Sequence, residues 1–356
     1  MAEVPNPMPV VIRHKNPCPV LVLGHGRSGT TILQGLLRRY LRVSFGTESQ
    51  FIPRYYYGLA DYGDLTDDAN LRRLLTDLVK ERWFQRSRSL GFWTTAEMLF
   101  EKVRTRTFRG VLDAVFGELA RQTGMHRWGD KTPDYVFHLP VLRSLFPDAK
   151  YVSIIRDGRD VALSVFEQSW GPKNVPSAAL EWNHTVQLVR EFEQTIPPDQ
   201  FLQIRYEDLL DRPVEVFGRL INFLEIDDDD GQILANIDRN IRSELKAGNY
   251  NKWKQALSER QIRQFDSIAG ELLRQYGYET TDAPPRQVGR LECAYWSADT
   301  RVRRLFRRDY WRDNGYQLKL LGRDVSRRLG LRRDPPESND TPPVEWMVQG
   351  DHGAGI

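Results

Sequence analysis

Gly24-His25-Gly26-Arg27-Ser28-Gly29-Thr30-Thr31 keeps the spacing of a phosphate-binding loop but puts Thr30 where a nucleotide-binding lysine would stand. Before it, Pro19 to Leu23 is a short apolar run of β-formers; after it, Ile32, Leu33, Leu36 and Leu37 recur at helical spacing. Strand, loop and helix therefore follow in the order that such a site requires. A glycine-rich turn feeding a helix aims unpaired N–H groups at one point, and the helix dipole adds positive charge there. Arg27 supplies a cation, and Thr30 and Thr31 supply hydroxyls. No clear second segment gives an apolar strand ending in a metal-binding aspartate, since Tyr151 to Ile155 runs into Arg156. Magnesium-dependent phosphoryl transfer is therefore disfavoured, and no metal is expected.

Working outward, Tyr151 to Ser164 is a second strand-to-helix junction, with Arg156-Asp157-Gly158-Arg159-Asp160 at the turn. A cation at a strand's carboxyl end is well placed for a ligand in an open α/β sheet. Ser164 lies eight residues after Arg156, about two helical turns, so both can face one phosphate if the helix begins near Asp157. Taken alone, the Arg-Asp-Gly-Arg-Asp run reads more readily as a surface ion-pair cluster than as a ligand site.

Together, Gly26-Arg27-Ser28-Gly29-Thr30-Thr31 and Arg156 to Ser164 resemble the two donor-binding segments of the sulfotransferase family, whose donor is 3′-phosphoadenosine 5′-phosphosulfate. The resemblance implies that the first segment holds the 5′-phosphosulfate and that Arg156 and Ser164 hold the 3′-phosphate. It runs from about Pro19 to Tyr278 and is closest in style to the tyrosylprotein branch and its bacterial relatives. Gly46 to Arg54, Gly129-Asp130-Lys131-Thr132-Pro133 and Arg156 to Arg159 carry it. It implies Glu48 as the general base, Lys131 beside the leaving group and Arg54 as an acceptor-binding arginine. Gln50 stands where the tyrosylprotein branch has a second such arginine, and Gln168 where an arginine follows the phosphate-binding serine. These departures bear on the acceptor and not on the donor. Tyr206, ending the strand Phe201 to Arg205, is implied as a nucleotide contact. Asn249 to Lys254 resembles the segment covering the adenosine, with Lys252 and Lys254 both candidates.

The mechanism that the resemblance implies is transfer of a sulfuryl group to a hydroxyl of a carbohydrate, lipid, small metabolite or peptide tyrosine. Arg27, Lys131, Thr30 and Thr31 would stabilise charge on the departing phosphate, and Glu48 would take the acceptor's proton. A P-loop kinase with a reassigned lysine, and a non-catalytic nucleotide- or membrane-binding protein of the same fold, are the alternatives. His25, inside the loop, reads as a packing residue. His126, His138 and His184 lack partners at metal spacing.

Alternation of short apolar strands with amphipathic helices predicts a P-loop-type three-layer α/β/α fold with a central parallel sheet. The reading gives strands at 19–23, 126–131 and 200–206, a strand and helix at 150–168, and helices at 134–146, 176–196, 213–225 and 258–276. A helical insertion spans about 65–124, and its aromatics, Trp83, Phe84 and Phe92 among them, serve either an acceptor or the core. The domain runs from 19 to 282, after an N-terminal arm at 1–18; a basic helical extension follows at 283–333 and a disordered tail at 334–356. Between Arg301 and Arg333, twelve Arg and Lys face only Asp309, Asp313 and Asp324, in a chain of net charge +3. Leu318, Leu321, Val325 and Leu329 share one face there, which suits a helix on a membrane surface or one docked on the domain. No nucleic-acid partner is expected, and the sequence leaves the oligomeric state open. Two cysteines, Cys18 and Cys293, are too few for a disulfide framework, and with no apolar run of membrane-spanning length they lead to a cytoplasmic expectation.

Overall fold

The computed structural model describes residues 12–228 and 230–306. Five parallel strands, β1 (Val20–Leu23), β2 (Val43–Phe45), β3 (Arg127–Lys131), β4 (Lys150–Ile155) and β5 (Phe201–Arg205), form one sheet in the order β2-β3-β1-β4-β5. β1 sits centrally, with Val20 opposite Gly129 of β3 and opposite Lys150 of β4. All four residues of β1 are buried, as an unbroken Val-Leu-Val-Leu run requires when helices cover both faces. The main helices are α1 (Thr30–Leu41), α2 (Phe108–Gln122), α3 (Gly158–Phe166), α4 (Val175–Glu193), α5 (Pro213–Phe223), α6 (Glu259–Gln275) and α7 (Arg290–Leu305).

Odd-numbered residues of β1, Leu21 and Leu23, join Tyr151 in a core against α2 and the insertion. Val20 and Val22 join Val152 and Ile154 in a second core under α1, α5 and the helix Gln232–Glu244. A third apolar cluster ties α3, α4 and α6 together. The three-layer architecture is the expected one.

Local differences have local causes. The helix expected at 134–146 is a 3-10 stretch, Pro133–His138, followed by an α-helix, Leu139–Leu145. Pro140 lacks the N–H and crowds the carbonyl four residues back, so the helix restarts there. The insertion is a series of short helices, Asp68–Leu78, Arg82–Ser87 and Ala96–Phe100, before α2; Asp67, Thr95 and Thr107 cap three of the four N-termini. Trp83, Phe84 and Phe92 are core: the Trp83 ring meets those of Phe84, Phe92, Phe51 and Phe116 edge to face. Among the elements that went unread in the sequence are β2, the helix Gln232–Glu244, and a small antiparallel pairing of Arg13–His14 with Ile226–Asp227. Among the described residues no helix is long and apolar enough to cross a membrane. The amphipathic stretch at 318–329 and the tail at 334–356 lie outside the described residues.

Candidate active site

Each parallel strand ends beside a candidate residue: β1 at the loop, β2 three residues before Glu48, β3 on Lys131, β4 before Arg156 and β5 before Tyr206. The sheet alone therefore gathers pieces that are far apart in sequence, at the carboxyl edge where such sheets bind ligands.

The loop is held in backbone conformations that few residues adopt. Gly24 has φ 147°, Arg27 71° and Gly29 95°. A Cβ on Gly29 would lie 2.4 Å from the Tyr206 ring, and one on Gly24 2.5 Å from the Ile154 carbonyl oxygen. The loop is thus wedged between β4 and Tyr206. Gly29 starts α1 with no capping side chain and no acid in the first turn, which leaves the first N–H groups for an anion.

Arg156 reaches the same place. Its Nη1 donates to the Arg27 carbonyl at 3.2 Å, its Nη2 to the Asn249 carbonyl at 3.0 Å, and its guanidinium lies 4.6 Å over the Tyr206 ring. Trp182 Nε1 donates to the Arg156 carbonyl at 3.1 Å and fixes the backbone beneath. Asp157 caps α3, so that helix begins where the Arg156/Ser164 spacing requires, and Ser164 Oγ accepts from Arg27 Nε at 2.9 Å. Arg27, Gly29, Thr30, Thr31, Arg156, Ser164, Tyr206 and Lys252 line one cavity of about 460 Å³. Arg156 Nε is buried there without a partner, a donor that a bound anion would satisfy. Three cations, a hydroxyl-bearing helix start and an orphaned N–H fit a bisphosphorylated ligand.

A second cavity, also about 460 Å³, shares Arg27, Thr30 and Thr31 with the first and adds Glu48, Gln50, Asp134, Phe137, Gln168, Trp170 and Glu181. Between the two lies buried Lys131, whose Nζ is 2.5 Å from Glu48 Oε1 and 3.4 Å from Thr31 Oγ1. The loop carrying Glu48 is pinned to β3 by a buried polar network. Ser49 Oγ donates to Asp130 and lies 2.6 Å from Tyr135 Oη; Ser49 N donates to Thr132 Oγ1 at 3.0 Å, and Ile52 N to Tyr135 Oη at 3.2 Å. Burial pushes the Asp130 carboxyl up to about 6 from its ordinary 3.8.

Some expected residues stand elsewhere. Arg54 does not enter either cavity: it pairs with Glu81 at 2.7 Å and lies over Tyr55, because the short helix Ile52–Tyr57 carries it outward. Lys254 is drawn away to Glu279 at 2.7 Å, whereas Lys252 lines the first cavity. Gly26 lines only the second cavity. Ser28 is buried with its hydroxyl in a small separate pocket with Ser153 and Gln203, so only its backbone serves the loop. His25 is buried against Glu181, with Nε2 to Oε1 at 3.2 Å.

Sequence reasoning missed the residues that seat the covering segment. Asp160 accepts from the backbone N–H of Asn251 at 2.6 Å and of Trp253 at 3.0 Å, and Asn249 Nδ2 donates to Tyr206 Oη at 2.9 Å. The Arg-Asp-Gly-Arg-Asp run is not a surface cluster. Arg159 is buried, paired with Asp157 at 2.7 Å and Asp266 at 3.3 Å, with its guanidinium 3.6 Å over Trp253.

A family model described as the sulfotransferase family matches residues 19–230. Protein-tyrosine sulfotransferase A of Caenorhabditis elegans is 24% identical over 285 residues, covering 75% of this chain and 68% of that protein. The protein-tyrosine sulfotransferase of Drosophila melanogaster is 23% identical over 287 residues, covering 75% and 52% respectively. Among solved structures, the sulfotransferase domain from the Synechococcus PCC 7002 olefin synthase aligns at 21% identity with a TM-score of 0.44, over 75% of this chain and 98% of that one.

Proposed function

The chain belongs to the sulfotransferase family, and on that premise we propose that it moves a sulfuryl group from 3′-phosphoadenosine 5′-phosphosulfate to a hydroxyl held beside Glu48. The observation that carries this reading is the pair of cavities meeting at Arg27, Thr30 and Thr31, one lined by cations and the other containing a carboxylate base. Arg156 with its unpartnered Nε, Ser164 and Lys252 would hold the phosphates, and Tyr206 would wall the site.

When bound, the donor supplies the sulfuryl group and departs as adenosine 3′,5′-bisphosphate. Glu48 takes the acceptor's hydroxyl proton as the new oxygen–sulfur bond forms. Lys131, Arg27 and the loop N–H groups meet the negative charge growing on the 5′-phosphate oxygen as the old sulfur–oxygen bond breaks. A preorganised donor of this kind typically contributes about 3 to 4 kcal/mol of transition-state stabilisation. Lys131 spans base and loop, so one cation serves both halves of the transfer.

Of the hydroxyl acceptors that the sequence allows, we assign a phenol. The tyrosine-directed names of the relatives support this, as do the exposed rings of Phe137 and Trp170 at the second cavity. Calorimetric titration with adenosine 3′,5′-bisphosphate tests the donor half. Binding is expected without magnesium and is lost in Arg156→Ala, while Glu48→Ala keeps binding and loses transfer of labelled sulfate. A metal-dependent preference for ATP would overturn the reading in favour of a kinase.

A further inference from the structure

The second cavity has a charge pattern that selects among phenols. Its carboxylates are Glu48, Asp134 and Glu181. Glu48 is matched by Lys131, and Glu181 faces His25. Asp134 makes no hydrogen bond or ion pair among the described residues. Of the nearby cations, Arg27 lines both cavities with its Nε donated to Ser164, and Lys173 donates its ammonium to the carbonyls of Phe166 and Gln168. Arg54 pairs with Glu81 outside the cavity. The Asp134 carboxyl is raised above its ordinary value by partial burial, then by the charges of Glu48 and Glu181, with His138 opposing. These acids therefore sense one another across a shared space, which an incoming cation would relieve. Phe137 and Trp170, about half exposed at the same cavity, offer aromatic faces that favour a cation over an anion.

Resting on the sulfotransferase reading, we propose that the acceptor is a phenol bearing a positively charged amine, held by Asp134 between Phe137 and Trp170, and that anionic phenols are excluded. This departs from an acidic acceptor, for which the resemblance implies an acceptor-binding arginine where this cavity has Gln50.

Three probes of matched shape decide it: tyramine, uncharged 4-ethylphenol and anionic 4-hydroxyphenylacetate. Each is titrated calorimetrically into the intact protein saturated with adenosine 3′,5′-bisphosphate. Tyramine is expected to bind about tenfold more tightly than 4-ethylphenol, the scale of one charge-assisted hydrogen bond, and 4-hydroxyphenylacetate more weakly than either. Asp134→Asn is expected to remove the preference for tyramine while leaving the affinity for adenosine 3′,5′-bisphosphate unchanged. The proposal is overturned if 4-hydroxyphenylacetate binds as well as tyramine, if no probe binds, or if the Asn variant keeps the preference. Binding of the bisphosphate, measured first, separates the two readings: its failure removes the donor assignment and this proposal together, whereas its success with unselective probes removes only this one.

Discussion

Asp130 shows how a residue outside both cavities can govern the chemistry. Its carboxyl takes the Ser49 hydroxyl, and Ser49 sits next to Glu48, so a single buried acid sets Glu48 relative to Lys131. Because burial raises this carboxyl to about 6, the folded protein binds its proton more tightly than the unfolded chain does. Stability is therefore highest while Asp130 is protonated and falls as pH rises from about 4 through about 6. Asp130→Asn lacks this dependence. Urea unfolding from pH 4.5 to 7.5 should show the variant gaining about 2 kcal/mol relative to the parent across that window. A constant difference would show that Asp130 does not titrate as a buried group. Little of this is legible in sequence: Ser49 and Asp130 are 81 positions apart, and nothing local to either marks the other. The loop is the opposite case. Gly24, Arg27 and Gly29 carry the positive backbone angles within six residues, so the motif itself encodes the turn.

Among the elements, α3 is the one on which both ligand and fold depend. Its first turn carries Asp157 as cap, Arg159 in the core and Asp160 holding the covering segment. Arg159 exchanges water for two carboxylates, the Glu279 carbonyl and the Trp253 ring, so removing it leaves buried carboxylates without their cation. Arg159→Met should cost about 3 to 5 kcal/mol in urea unfolding, and Arg159→Lys should recover only part, because an ammonium cannot match the forked contact with Asp157. An effect below 1 kcal/mol would place this cluster in water. Sequence period and glycine position made α1, α3, α4, α5 and α6 readable to within a few residues. β2 escaped because three residues, Val43-Ser44-Phe45, are too short to show alternation, and Gln232–Glu244 because its apolar positions were not recognised beyond the acidic run that precedes it.

At the scale of the molecule, α7 reaches back to the second cavity. Arg304 donates to the carbonyls of Trp170 and Gly171, and Asn174 Nδ2 donates to Trp296 O at 3.0 Å and to Asp299 at 2.8 Å. The segment carrying Trp170 is therefore pinned from outside the 19–230 match. Arg304→Ala should raise the KM for a phenolic acceptor about threefold to tenfold while the affinity for adenosine 3′,5′-bisphosphate stays constant, the signature of a positioning residue, with the scale set by one or two charge-assisted hydrogen bonds. Equal losses for donor and acceptor would instead mean general destabilisation. The sequence by itself determined the loop, the strand ends and hence the donor edge, because phosphate binding and strand-to-helix turns are written in contiguous residues whose backbone chemistry is local. Only the tertiary structure decided that Lys252 rather than Lys254 lines the first cavity, that Arg54 turns away and that Asp134 lines the second. Those outcomes depend on which distant carboxylate or carbonyl competes for each side chain, and that competition exists only after packing.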